Sequence, residues 1–129
     1  MHERMQIEAV ASEVVDSCLA VHRALGPGLL ESIYQQCLVR ELQHRELQVA
    51  TEVEFPVIYR GAAIDTHLRV DMIVAGLVVV ENKAVQGILP VHEAQLLTYL
   101  KLSNLRIGFL VNWNVPLIRE GIRRMVNKL

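Results

Sequence analysis

Cysteine is scarce: Cys18 and Cys37 are the two in 129 residues. With no CxxC spacing they make neither a disulfide framework nor a zinc site. Both fall inside apolar helical patterns, where a thiol behaves as a small hydrophobe. A reducing compartment, the cytoplasm, is the expectation. No apolar run approaches the roughly 20 residues that span a bilayer. The opening Met-His-Glu-Arg-Met-Gln lacks the apolar stretch of a secretory leader, so no membrane association is expected. An excess of one charge is also missing. Thirteen Lys and Arg against fourteen Asp and Glu leave a net charge of −1, which excludes a globally basic nucleic-acid coat but not a local patch. Aromatics, at 5%, offer little for gripping bases. Gly26, Gly28 and Gly87 are not spaced as a phosphate loop. No Ser/His/Asp or Cys/His set suggests covalent catalysis.

Apolar material is plentiful. At 52% of residues it suffices for the core of one domain over 1–129. It is also rich enough to suggest a buried subunit interface, so a homodimer is an expectation.

The patterning predicts an α/β unit. Ile7, Val10, Val14, Cys18, Val21 and Leu25 recur at helical spacing over 5–24, and Gly26-Pro27-Gly28 stops that helix. A second helix follows over 30–45, with His22 placed near the end of the first, where the helix dipole favours it. Val49, Thr51, Val53 and Phe55 then alternate as in a half-buried strand. Pro56 places that strand at an edge or on a bulge. After the Arg60-Gly61 turn, strands are predicted over 63–74 and 77–84. Leu77-Val78-Val79-Val80 is apolar on both faces, as in a central strand. Pro90 opens a helix over 90–102, and 106–112 reads as another buried strand. Ile118, Ile122, Met125 and Val126 predict a closing helix over 117–128. Arg119, Arg123, Arg124 and Lys128 read as its solvated face.

Three polar residues interrupt the apolar strands: Asp71, Glu81 and Lys83. Glu81 and Lys83, two apart, share a face. Buried charges cost several kcal/mol each unless paired or bound to metal. A hard divalent cation such as Mg²⁺, which takes oxygen ligands, would balance the set. Spacing alone leaves a solvent-facing salt-bridge stripe equally open. The strand register separates the two. A two-residue Ala75-Gly76 loop would put Asp71 and Glu81 on opposite faces, whereas pairing Val74 with Val78 sets them directly across from each other.

Asp71, followed ten residues later by Glu81-Asn82-Lys83, resembles the D…ExK core of the PD-(D/E)XK nuclease superfamily. His92-Glu93-Ala94-Gln95-Leu96-Leu97-Thr98-Tyr99 resembles the QxxxY motif of its RecB-like branch. Gly28-Leu29-Leu30-Glu31-Ser32-Ile33-Tyr34 matches the signature that names the GxxExxY proteins, assigned to the same superfamily. The likeness runs from about Val21 to Val126. The proline of "PD" is absent, since Val70 precedes Asp71.

The resemblance implies a restriction-endonuclease-like αβββαβ core with an additional N-terminal and C-terminal helix. It implies hydrolysis of phosphodiester bonds, in DNA rather than RNA, with Mg or Mn as cofactor. Glu31, Asp71 and Glu81 would be the metal ligands, joined by the backbone carbonyl of Asn82. Lys83 would assist the attacking water, and Gln95 and Tyr99 would position Lys83 or the nucleic acid. His92 stands below these as a helix-start residue, and Trp113 reads as an anchor of a strand end. Nucleic acid is the expected partner, with a protein partner as a source of specificity. The competing reading is a non-catalytic nucleic-acid- or protein-binding module that retains the nuclease fold.

Overall fold

The computed structural model describes residues 2–129. Helix α1 (His2–Leu25) buries Ile7, Val10, Ala11, Val14, Cys18 and Val21 along one stripe. Helix α2 (Glu31–His44) buries Tyr34, Leu38 and Leu42, each one turn from the last. Between them the chain reverses through Gly28 at φ +101, in the region that side chains disfavour. No described helix is long and apolar enough to cross a membrane.

Five strands form one sheet in the order β1-β2-β3-β4-β5. Strands β1 (Val49–Tyr59) and β2 (Ala62–Val74) form a long antiparallel hairpin. Its register shifts between Pro56 and Ile58, where Val57 alone stands opposite Ile64, Asp65 and Thr66 of β2, a bulge with its extra residues on β2. Strand β3 (Val78–Lys83) pairs antiparallel with β2, with Val74 across from Val78. The loop is therefore the three-residue Ala75-Gly76-Leu77, the register that sets Asp71 against Glu81. Helix α3 (Pro90–Ser103) makes the crossover to β4 (Ile107–Asn112), which lies parallel to β3. Both β3 and β4 are buried along almost their whole length, as central strands must be when helices cover both faces. Helices α1 and α2 pack on one face, over Met72, Val74, Val78, Val80, Phe109, Val111 and Trp113. Helix α3 packs Leu96 and Leu100 on the other, against Val70, Ile73, Val79 and Leu110.

The closing helix predicted over 117–128 is not formed. A short 3₁₀ turn (Ile118–Gly121) leads into a fifth strand, β5 (Ile122–Val126), which pairs antiparallel with β4 from Ile107↔Val126 to Val111↔Ile122. An open edge on β4 needs a partner, and a strand here satisfies more backbone than a helix would. Gly121 permits the return: a Cβ there would collide with the Asn112 carbonyl oxygen. Gly121→Ala is expected to cost about 1–3 kcal/mol through this backbone clash, read as a lowered thermal midpoint. An unchanged midpoint would mean that β5 does not seat against the end of β4.

The basic residues of this segment are not a solvated helix face either. Strand alternation sends Arg124 to Glu8 on α1 at 2.8 and 2.7 Å, and Arg123 to Glu93 on α3 at 3.5 Å. The two arginines tie β5 to opposite layers instead of forming one patch.

Candidate active site

Asp71 on β2 and Glu81 on β3 meet by two reciprocal contacts. The Asn82 N–H donates to Asp71 Oδ2 at 2.9 Å, and the Asp71 N–H points at Glu81 Oε1 at 3.4 Å. Each carboxylate is thus held by the other's strand. Glu81 is 6% exposed. Burial, and then the charge of Asp71 beside it, push its pKa up to about 9, with Lys83 opposing weakly. Near neutral pH the pair therefore carries a proton on Glu81 when no cation is present.

The other expected residues surround the pair unequally. Lys83, half-buried, shares the face of Glu81 by strand alternation. Its carbonyl accepts the Trp113 N–H at 2.9 Å. The segment after it is clamped by Asn112, which accepts the Val85 N–H at 3.1 Å and donates to its carbonyl at 3.0 Å. Tyr99 on α3 has a raised pKa, first from burial and then from the charges of Glu81 and Asp71, while Gln95 acts in the opposite sense. So the Tyr99 hydroxyl lies within the field of the acids, and Gln95 touches that hydroxyl from one turn back. Glu31, exposed at the start of α2, also has a raised pKa. Burial contributes most, followed by Asp71, with Lys83 opposing and Glu52 adding to the rise. Glu31 thus feels the centre. It is not drawn into a three-ligand cluster with Asp71 and Glu81: among the described residues, no group of three His, Cys, Asp or Glu side chains is gathered for a metal.

Two carboxylates suffice for Mg²⁺, which is commonly held by one or two carboxylates and keeps several waters. An acid pair that retains a proton for want of counter-charge fits such a cation. Apart from this centre, a groove of about 600 Å³ runs between the end of α1 and the Pro116–Glu120 segment. Its one carboxylate, Glu120, has no second acid beside it in the lining, so it lacks the paired-acid chemistry.

A family model described as the PD-(D/E)XK nuclease superfamily matches residues 8–125. The chain belongs to the PD-(D/E)XK nuclease superfamily. No curated protein and no solved structure matched. The mixed sheet and its helices have the restriction-endonuclease-like arrangement expected of this superfamily, with α1 before the core and β5, rather than a helix, after it. Membership supports a nuclease-like function.

Sequence reasoning missed what holds the acid pair in place. Asn82, between Glu81 and Lys83, points to the opposite face and is fully buried. Its Oδ1 accepts from Trp113 Nε1 at 2.9 Å, and its Nδ2 donates to Gln35 Oε1 at 3.2 Å and to Met72 Sδ at 3.2 Å. Gln35 continues to Glu52 at 3.0 Å. The residue whose N–H fixes Asp71 is therefore fixed by its own side chain. Trp113 lies face to face with Tyr34, ring centroids 4.9 Å apart and planes within 4°. The Tyr34 hydroxyl donates to the Gly26 carbonyl and accepts the Leu29 N–H. In the G-x-x-E-x-x-Y stretch, then, Gly28 turns the chain, Tyr34 is the post and Glu31 stands exposed within the field of Asp71. An amide inside an apolar strand was the available signal.

Other expected candidates have structural work. His92 accepts the Leu89 N–H on Nδ1 at 3.0 Å, capping α3. His22 reaches the Val115 carbonyl at 3.0 Å and lies near Trp113. Trp113 is fully buried and serves as the strand-end anchor.

Proposed function

We propose that the chain is a metal-dependent nuclease acting on DNA, with Asp71 and Glu81 holding Mg²⁺ or Mn²⁺. The observation that carries this reading is the acid pair across β2 and β3, joined through the Asn82 N–H, in which burial and the charge of Asp71 raise the Glu81 pKa. The Gln95 and Tyr99 pair and the Gly28, Glu31, Tyr34 spacing support placement in the QxxxY branch and among the GxxExxY proteins.

When bound, the cation supplies Lewis acidity toward a phosphate oxygen. The remaining chemistry falls to the chain. Lys83, beside the acids, is placed to orient the attacking water or to stabilise charge gathering on the phosphate. Tyr99 and Gln95 present a hydroxyl and an amide from α3 to hold Lys83 or a phosphate in line. Glu31 adds negative charge beside the pair, favouring a cation and holding the nucleic-acid backbone off until the cation is in place.

The test is cleavage of labelled duplex DNA, single-stranded DNA and RNA with Mg²⁺ or Mn²⁺. We expect DNA cutting that is lost by a factor of at least about 100 in Lys83→Ala and in Glu81→Ala, the range for removing a group that stabilises developing charge. Folded protein that cuts nothing with either ion would shift the reading to a binding module that retains the fold. The commitment of Arg123 and Arg124 to ion pairs is the one observation in its favour.

A further inference from the structure

Four side chains from distant parts of the chain form one hydrogen-bonded line on the α2 side of the sheet. Glu52 Oε1 on β1 accepts from Gln35 Nε2 at 3.0 Å, and Gln35 Oε1 accepts from Asn82 Nδ2 at 3.2 Å. Asn82 Oδ1 in turn accepts from Trp113 Nε1 at 2.9 Å. Each end of the line can bond in one sense only. An indole N–H donates and never accepts, and an ionised carboxylate accepts and never donates. Between them stand two amides, whose oxygen and nitrogen could otherwise exchange places. Turning Asn82 over would set its NH₂ against the indole N–H. Turning Gln35 over would set two NH₂ groups together at Asn82 and two oxygens together at Glu52. The ends therefore fix the direction of both amides.

Glu52 reaches this line from an unusual backbone. It stands at φ +51, a left-handed conformation that L side chains disfavour. The pairs on either side, Thr51↔Met72 and Val53↔Val70, place it across from Asp71 itself. The hairpin rolls over here. Val49 and Met72 pack beneath α1 and α2, whereas Val53 and Val70, which would share their faces in regular strands, pack on the α3 side. Backbone strain of this kind persists where the surroundings hold it, and it gathers at functional positions.

We infer that Gln35 is a positioning residue of the cation centre: held by Glu52, it presents an acceptor to Asn82 and so fixes the backbone N–H that grips Asp71 Oδ2 at 2.9 Å. This deepens, and rests on, the reading of Asp71 and Glu81 as the cation's ligands. Gln35 also lies one turn from Glu31 on α2, so the same bond pins that helix to β3 and keeps Glu31 near the pair. Groups that directly orient metal ligands account for about 10–100-fold in metal affinity. Gln35 acts one bond further out, through Asn82, and its effect is correspondingly smaller.

Trp113 is the sole tryptophan of the chain, so a single indole N–H resonance reports on the far end of the line. Two variants are compared with wild type by that resonance and by calorimetric titration of Mn²⁺, at temperatures where all are folded. Gln35→Met keeps an unbranched, helix-forming side chain but offers Asn82 no amide oxygen. It should move the indole resonance and weaken Mn²⁺ binding at least about fivefold, just below the range for groups that touch a ligand. Gln35→Glu combined with Glu52→Gln exchanges the amide and the carboxylate, so position 35 again offers Asn82 an acceptor and position 52 can donate to it. This exchange should return the resonance toward its wild-type position and bring affinity to within about threefold of wild type, well inside that range. Wild-type affinity in Gln35→Met would overturn the inference, whether or not the indole moved. So would a loss that the exchange leaves unrestored, since packing alone would then explain it. Both of those failures leave wild-type Mn²⁺ binding intact. A wild-type chain that binds no Mn²⁺ would instead overturn the cation reading of the acid pair, and the positioning role with it.

Discussion

Trp113→Ala should destabilise the protein by about 3–5 kcal/mol, the range for truncating a large buried aromatic side chain. Total stabilities of domains are roughly 5–15 kcal/mol, so the variant will melt far below wild type. Three losses combine. A fully buried ring leaves a cavity among α1, α2 and the sheet. The stack on Tyr34 at 4.9 Å disappears. The Asn82 oxygen loses its Trp113 donor, and an unpaired buried acceptor costs about 1–3 kcal/mol. Trp113→Phe separates these, since it retains an aromatic ring against Tyr34 but strands the Asn82 oxygen. It should cost about 1–3 kcal/mol, and at temperatures where it stays folded its cation affinity should fall, because Asn82 holds Asp71. Thermal melts and Mn²⁺ titrations on both variants check this. A Phe variant with normal affinity would detach the aromatic post from the acid pair.

The second large effect concerns Glu81 and pH. Burial and the neighbouring Asp71 push the Glu81 pKa up to about 9, far above the ordinary carboxyl value of 4.5. Between those limits the native state holds one proton more than the unfolded state, so unfolding free energy falls as pH rises. The stability contributed by the protonated form is fully present below 4.5 and lost as pH climbs through 9. The slope is about 1.4 kcal/mol per pH unit. Glu81→Gln keeps a neutral donor beside Asp71 at every pH. It should therefore melt several kcal/mol above wild type at pH 8–9 without divalent ions, a scale set by that slope, and match it near pH 4. Melts from pH 4 to 9 in chelator would show the two curves diverging. Parallel curves would mean that Glu81 is ionised in the folded protein. The same substitution should abolish cleavage, the opposing effects expected where a site is strained for function.

Much of this was legible in the sequence. The three helices, the first four strands and the acid pair follow from apolar period, turn residues and polar interruptions of buried strands. The loop at Ala75-Gly76-Leu77 is the one that pairing Val74 with Val78 demands, the register that a facing acid pair requires, a constraint from chemistry rather than turn statistics. The closing segment was misread because Ile118, Ile122, Met125 and Val126 fit a helical stripe. What decides there is the unsatisfied edge of β4 and the close approach of Gly121 to Asn112, which are non-local. The Arg123 and Arg124 pairings were hidden for the same reason, since Glu8 and Glu93 come from distant helices. Glu31 was expected as a ligand from its motif. Motif spacing conveys that it reaches the neighbourhood of Asp71 but not how close it comes. Asn82 was read only for its backbone carbonyl, because what its side chain holds depends on Trp113 and Gln35, far away in the chain.

The acid pair as a cation centre is tested most directly by calorimetric titration of Mn²⁺ at pH 7.5 in two buffers of different ionisation enthalpy. The account predicts saturable binding with release of about one proton per ion in wild type, because the ligand must be deprotonated to bind. Glu81→Gln should release none and bind at least tenfold more weakly. Equal affinity and equal proton release in wild type and Glu81→Gln would place the cation elsewhere and contradict the account.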